Sequence, residues 1–202
     1  MAATTAPMNP AVKPAYLGLL NAISLAESHA GQYLEAWANV TPDEDLACTL
    51  RLVAARERSH GEVFCRRIAE LGFSLKPKRD PADGERLAKY ADPRVSDLEK
   101  IGPEREREDR DPFREIKAKM ADGEYDPMTC NLLGWYIAEE ADSGKRLREA
   151  YACVRERANG KKARMNGHAA EASADAEAIM ACMTQGFSRL EKSLEKLAKA
   201  VR

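Results

Sequence analysis

At 202 residues the chain has room for one domain with a substantial core, and a formal net charge of −1 gives it no overall pull toward nucleic acid or an anionic membrane. Charged residues make up 32% and hydrophobic ones 44% but aromatics only 6%, which suits long amphipathic helices better than β-sandwiches. Five scattered cysteines (Cys48, Cys65, Cys130, Cys153, Cys182) with no C-x-x-C argue against a disulfide framework or a cysteine zinc site, and fit reduced thiols in the cytoplasm.

In chain order, residues 1–13 lack the apolar core of a signal peptide and are expected to be a disordered lead-in to a single domain over 14–202. No stretch approaches the roughly 18 apolar residues of a membrane span. The first helix is expected from Pro14 to about Ala38, with Leu20, Ile23, Glu27, Gly31 and Leu34 on one face. Thr41-Pro42-Asp43-Glu44 reads as an N-cap, a proline at the first helical position and an acidic first turn. The second helix that it opens runs to Gly72, antiparallel to the first across a short loop. Its buried stripe is Val53, Glu57, His60 or Gly61, Phe64, Ile68 and Leu71. Glu57 and His60 therefore stand where packing wants hydrocarbon, at a cost of about several kcal/mol unless partners, hydrogen bonds or a metal compensate.

Residues 74–126 are crowded with charge, proline and turn residues and form a long crossover, with short helices expected at about 83–90, 94–100 and 112–121 and disorder around 103–111. The run REREDRDPFR (105–114) reads as a solvated, self-pairing loop. A third helix is expected from Asp126-Pro127 to about Ala158, on the stripe Leu133, Tyr136 or Ile137, Glu140, Gly144, Leu147, Tyr151, with Asn159-Gly160 as its break. A fourth, from about Lys162 to Thr184, places His168, Glu171, Asp175, Ala178 and Cys182 on one face. The tail, with Phe187, Leu190, Leu194 and Leu197 at helical steps, either extends it or restarts after Gly186 as a packing or homodimerisation helix.

A shift of 113 residues superimposes Pro14, Leu19, Leu20, Glu27, Gly31 and Leu34 on Pro127, Leu132, Leu133, Glu140, Gly144 and Leu147. For the following helix, a shift of 114 pairs Glu57 with Glu171 and Gly72-Phe73 with Gly186-Phe187. The pattern is two helical hairpins, each helix bringing one glutamate inward. Carboxylates gathered in one centre repel and resist ionisation unless protons or cations neutralise them, and a pair of divalent iron or manganese ions is a natural counter-charge. His60, three positions after Glu57, shares its face and can reach the same metal.

On Glu27, E57-R-S-H60, Glu140 (beside Glu139) and E171-A-S-A174, the chain resembles the ferritin-like superfamily, nearest in plan to rubrerythrin-type domains, over about 14–73 and 127–187. The resemblance implies an all-α, ferritin-like four-helix bundle of two hairpins joined by the long crossover, with a C-terminal helical extension. It also implies a di-iron or mixed-metal centre that activates dioxygen or peroxide. Glu27 and His60 would be terminal ligands, Glu57 and Glu171 bridges, and Glu140 would hold the second metal. The chain departs from the family where a second Glu-x-x-His is expected, because Ala174 stands in place of the histidine. Either Asp175 or His168, each within a turn of Glu171, takes over as ligand, or one metal position is weak, or the bundle keeps its architecture without its centre. The tail lacks the paired cysteines of a rubrerythrin iron-sulfur domain, so the reading calls for an external electron donor, with ferrous iron, peroxide or an organic molecule as substrate.

The rival reading is a non-catalytic helical protein with a degenerate or mononuclear site, acting in assembly or partner binding. Among the remaining residues, His29 falls off the central stripe and reads as a surface or second-sphere group. Trp37, Trp135, Tyr136 and Tyr151 read as core, although a buried tyrosine beside a di-iron centre could act in radical or electron transfer, and Cys65 and Cys182 read as inert core thiols.

Overall fold

The computed structural model describes residues 12–78, 80–103 and 111–165, with side chains to residue 159. Among them the fold is all-α: α1 (Leu17–Ala38), α2 (Glu44–Glu70), α3 (Asp83–Ala91), α4 (Asp97–Ile101), α5 (Arg114–Ala121) and α6 (Pro127–Met165). Three long helices thus carry the core, and the crossover breaks into three short ones close to where turn chemistry places them. No described helix is long and apolar enough to cross a membrane.

The expected stripes of α1 and α2 are buried, apart from Leu71, which is half-buried as the C-cap of α2. In α1, Leu20, Ile23, Glu27, Gly31 and Leu34 all face inward, and in α2 so do Val53, Glu57, His60, Gly61, Phe64 and Ile68. The start of α2 lies two residues later than expected. Asp43, not Thr41, is its N-cap, accepting from the Leu46 N–H at 3.2 Å, with Glu44 and Asp45 following in the first turn. The Thr41 hydroxyl is engaged elsewhere, donating to Asp97 at 2.7 Å while accepting from the Asp43 N–H. At the far end Gly72 takes the left-handed conformation (φ 85°), and Phe73 N–H reaches back to the Ile68 carbonyl, which ends α2 as expected.

α1 and α2 approach most closely where they carry their polar residues. A Cβ on Gly61 would strike Ser28 Oγ and lie 3.1 Å from both the Ser24 carbonyl and the Ser28 nitrogen. Across this contact the Ser24 hydroxyl donates to the Gly61 carbonyl at 2.7 Å. On the other side Gly31 leaves room for Arg58 and the Ala54 carbonyl. Among the described residues, a Cβ on its repeat equivalent Gly144 would meet the end of the Arg148 side chain at 3.1 Å.

Two apolar clusters flank this level. One gathers Leu17, Leu20, Ile23, Phe64, Ile68, Leu133 and Tyr136 with Phe113 and Ile116 of the crossover. The other gathers Leu34, Trp37, Leu50, Val53, Leu147 and Val154 with Tyr90 and Ile101. Between them, α1, α2 and α6 present Glu27, Glu57, His60 and Glu140 toward one another. Trp37 and Tyr136 are core as expected, but Trp135 is 38% exposed, because it lies one position off the buried line of α6.

Asp126 begins α6 by accepting from the Met128 and Thr129 N–H groups, ahead of Pro127 at the first helical position. The expected break at Asn159-Gly160 does not occur, since α6 continues through both to Met165. One glycine costs a helix only about 1 kcal/mol relative to alanine, too little to stop an already propagating ladder when no proline follows. The expected start of a fourth helix at about Lys162 is not seen either, because residues 162–165 still belong to α6; the rest of that helix and the tail, with His168, Glu171, Ala174, Asp175 and Cys182, lie outside the described residues, as does most of the 103–111 segment.

Candidate metal centre

The site is assembled on the His60 imidazole, which is fully buried. Its Nδ1 lies 3.4 Å from Glu140 Oε1, 3.7 Å from Glu27 Oε2 and 3.9 Å from Glu57 Oε2. One donor atom from each of these four residues falls within 4.8 Å of every other. Glu27 and Glu140, the two glutamates paired by the 113-residue repeat, thus meet at the same ring.

Two of the four residues, Glu27 and His60, are held by a neighbour through the atom that does not face the centre. The Tyr136 hydroxyl, fully buried one turn before Glu140, donates to Glu27 Oε1 at 2.8 Å. Glu139 Oε2 lies 2.9 Å from His60 Nε2. An ionised carboxylate only accepts, so this contact places the proton on Nε2 and turns the Nδ1 lone pair toward the other three carboxylates whenever the ring is neutral. Trp135 sets its ring edge-on to the imidazole, with centroids 4.9 Å apart, and Tyr136 does the same at 5.1 Å.

Four buried side-chain polar atoms among the described residues lack a hydrogen-bond partner. Three of them, Glu27 Oε2, His60 Nδ1 and Glu140 Oε1, face one another in this cluster. Buried polar atoms are nearly always satisfied, so three orphans converging on one point are placed to share a cation or proton. Burial and the adjacent Glu27 push the Glu57 carboxyl up to about 8. Burial also raises Glu140, although the neighbouring His60 opposes it. For His60, burial disfavours the charge, but Glu140, Glu27, Glu57 and Glu139 outweigh it and carry the ring up to about 12. At 3.4–3.9 Å three of these carboxylates attract the ring proton without closing a hydrogen bond to Nδ1. Burial and mutual repulsion thus favour the protonated forms at this point, and a cation held by the same atoms would displace those protons. Three carboxylate oxygens and one imidazole nitrogen, dry and convergent, fit a divalent cation.

Of the seven residues expected at the metal, the structure brings together Glu27, Glu57, His60 and Glu140, while Glu171, Asp175 and His168 lie outside the described residues. Glu139 and Tyr136 hold two of the four in place, and neither stands out by residue type. The signal available was positional, since Glu139 and Tyr136 lie one residue and one helical turn from Glu140. His29 stays at the periphery, 3.5 Å from Asp83. Comparison of the chain with protein families, with curated proteins and with solved structures gives no match. The case for this centre accordingly rests on its own geometry.

Proposed function

We propose that this protein is an iron-dependent oxidoreductase of ferritin-like type, which uses a carboxylate–histidine centre to activate dioxygen or peroxide. The observation that carries the reading is the convergence of three unsatisfied buried ligand atoms on one point, with the fourth ligand, Glu57, beside them. Glu27, Glu57, His60 and Glu140 would hold the metal, with Glu171 as a second bridge and Asp175 or His168 completing a second position beside Glu140. Bound iron would supply Lewis acidity and reversible one-electron oxidation. Manganese or a mixed pair suits the same donors.

The chain's own residues contribute orientation and dryness. Tyr136 fixes Glu27 through one oxygen and leaves the other free. Glu139 selects the nitrogen that His60 presents. Phe64 and Phe113 pack edge-on against Tyr136 and exclude water from that side. An external donor supplies electrons, and the substrate is a small oxidant, alone or with an organic molecule.

A mononuclear site is the second reading, favoured by the compactness of the four donors, all mutually within 4.8 Å. Anaerobic loading with ferrous iron, metal analysis and the absorbance after exposure to air separate the two. About two irons per chain with the absorbance of an oxo-bridged ferric pair, both lost in Glu57→Ala, are expected for the di-iron centre. About one iron per chain without that absorbance assigns the single site. Metal-free protein whose stability is unchanged in both Glu27→Ala and Glu57→Ala overturns the metal reading and supports a purely structural helical protein.

A further inference from the structure

A cation that ends among Glu27, Glu57, His60 and Glu140 must first cross the shell of helices around them. Glu27, Glu57 and His60 are buried, and Glu140 of α6 is the least buried of the four. The way to solvent therefore lies along α6. There Trp135 and Glu139, one helical turn apart on the same face, both contact the His60 ring and both reach the surface. Of the two, only Glu139 carries charge, and its side chain is 30% exposed. One of its oxygens meets His60 Nε2 at 2.9 Å, while the other makes no hydrogen bond among the described residues and stays open to water. No arginine or lysine among the described residues pairs with it. Asp142, three residues on, is by contrast matched by Arg56 and Arg146 at 2.7 Å each.

Building on the metal reading above, we infer that Glu139 is the entry port for the divalent cation. Its free oxygen captures the ion from solvent and hands it to Glu140, the next residue in the chain, and Glu27, Glu57 and His60 then close around it. The two carboxylates flank opposite nitrogens of one imidazole, Glu139 at Nε2 and Glu140 at 3.4 Å from Nδ1, so the transfer is short. Water and carboxylate oxygens exchange at the ion, and no oxidation state changes. A negative group at the mouth of a low-dielectric site concentrates cations there and raises the rate of encounter by about 10- to 1000-fold. Because the ion meets Glu139 only in transit, its charge speeds entry and exit together and leaves the affinity to the four ligands. This part is separate from the orientation of His60. Orientation asks for an acceptor toward the Nε2 proton, which glutamine supplies, whereas capture asks for a charge, which aspartate keeps on a shorter reach.

The test mixes the full chain with cobalt(II) in a stopped-flow instrument and follows tryptophan quenching, since Trp135 lies against the ring that receives the ion. Affinity is measured separately by competition with a chromophoric chelator. In Glu139→Gln, association should slow by about tenfold or more while the Kd stays within about threefold of wild type, so release into excess chelator slows as well. In Glu139→Asp, association should stay within about threefold of wild type even though release quickens and affinity falls. Added salt should slow association in wild type more steeply than in Glu139→Gln. A wild-type association rate in Glu139→Gln, association as slow in Glu139→Asp as in Glu139→Gln, or equal salt dependence in wild type and Glu139→Gln overturns the port and leaves Glu139 with orientation alone. Wild-type protein that binds no cobalt overturns the underlying metal reading, whereas binding with unaltered association rates in both variants overturns the port alone.

Discussion

Two of the polar clusters between the described helices, around Asp126 and around His60, are resolved in opposite ways. Asp126 is surrounded by donors: the Tyr16 hydroxyl at 2.5 Å, Arg67 at 2.8 Å, the Thr129 hydroxyl at 2.5 Å and the Met128 and Thr129 N–H groups. Burial alone would raise its carboxyl, but the hydrogen bonds from Thr129, Tyr16 and Arg67 hold it well below the usual carboxylate range. It ties the start of α6 to α1 and α2, and it is complete as it stands. At His60 acceptors outnumber donors, burial pushes Glu57 up to about 8, and three buried atoms are left without partners. A carboxylate matched to donors is a structural joint, while buried carboxylates that outnumber their donors form a group able to hold a cation.

Breaking the second cluster should abolish binding outright. Glu57→Ala and His60→Ala are each expected to lower metal affinity more than about 100-fold, measured by titration with ferrous or cobalt ion, with the helical circular dichroism retained. Undiminished affinity in either would remove it from the ligand set. Next in size is the residue that orients His60: Glu139→Ala should weaken binding by about 10- to 100-fold, and Glu139→Gln, which keeps an acceptor for the Nε2 proton, should recover most of the loss.

The first cluster answers to stability instead. Asp126→Asn should cost about 2 kcal/mol in denaturant unfolding and leave metal affinity intact, because it removes charge-assisted bonds and weakens an N-cap together. Its folded pKa is depressed, so the contribution is fully present above the unfolded value of 3.8 and is lost as the pH falls below it. The stability difference between wild type and Asp126→Asn should therefore be constant near neutrality and shrink below about pH 4; a difference that grows in acid would contradict this assignment. The smallest effect has the opposite sign. In metal-free protein Glu57→Gln should raise stability by about 1 kcal/mol, since it removes one of several mutually repelling carboxylates, although it abolishes the metal affinity. A loss of stability in that variant would mean that Glu57 already has its partners.

Much of this architecture was legible in the chain because helical periodicity is a local property. The stripes containing Glu27, Glu57 with His60, and Glu140 could be read directly, and the 113-residue repeat tied Glu27 to Glu140 before any fold was drawn. The short crossover helices followed from turn chemistry. Less legible were choices settled by competition between distant groups. Thr41 lost the N-cap to Asp43 because Asp97 of the crossover takes its hydroxyl. Asn159-Gly160 failed to interrupt α6 because the penalty of one glycine is small against a continuing ladder.

By itself the sequence determined which side chains turn inward on each helix, because burial follows a period of 3.6 residues whatever lies across the interface. Only the tertiary structure decided which of these meet. It brought Glu27, Glu57 and Glu140 around one nitrogen of His60 and gave the other nitrogen to Glu139. It sealed Tyr136 in the core and left the adjacent Trp135 at the surface. Those outcomes depend on how helices whose contacting residues lie 79 to 109 positions apart are rotated against each other, and packing across the interface sets that rotation.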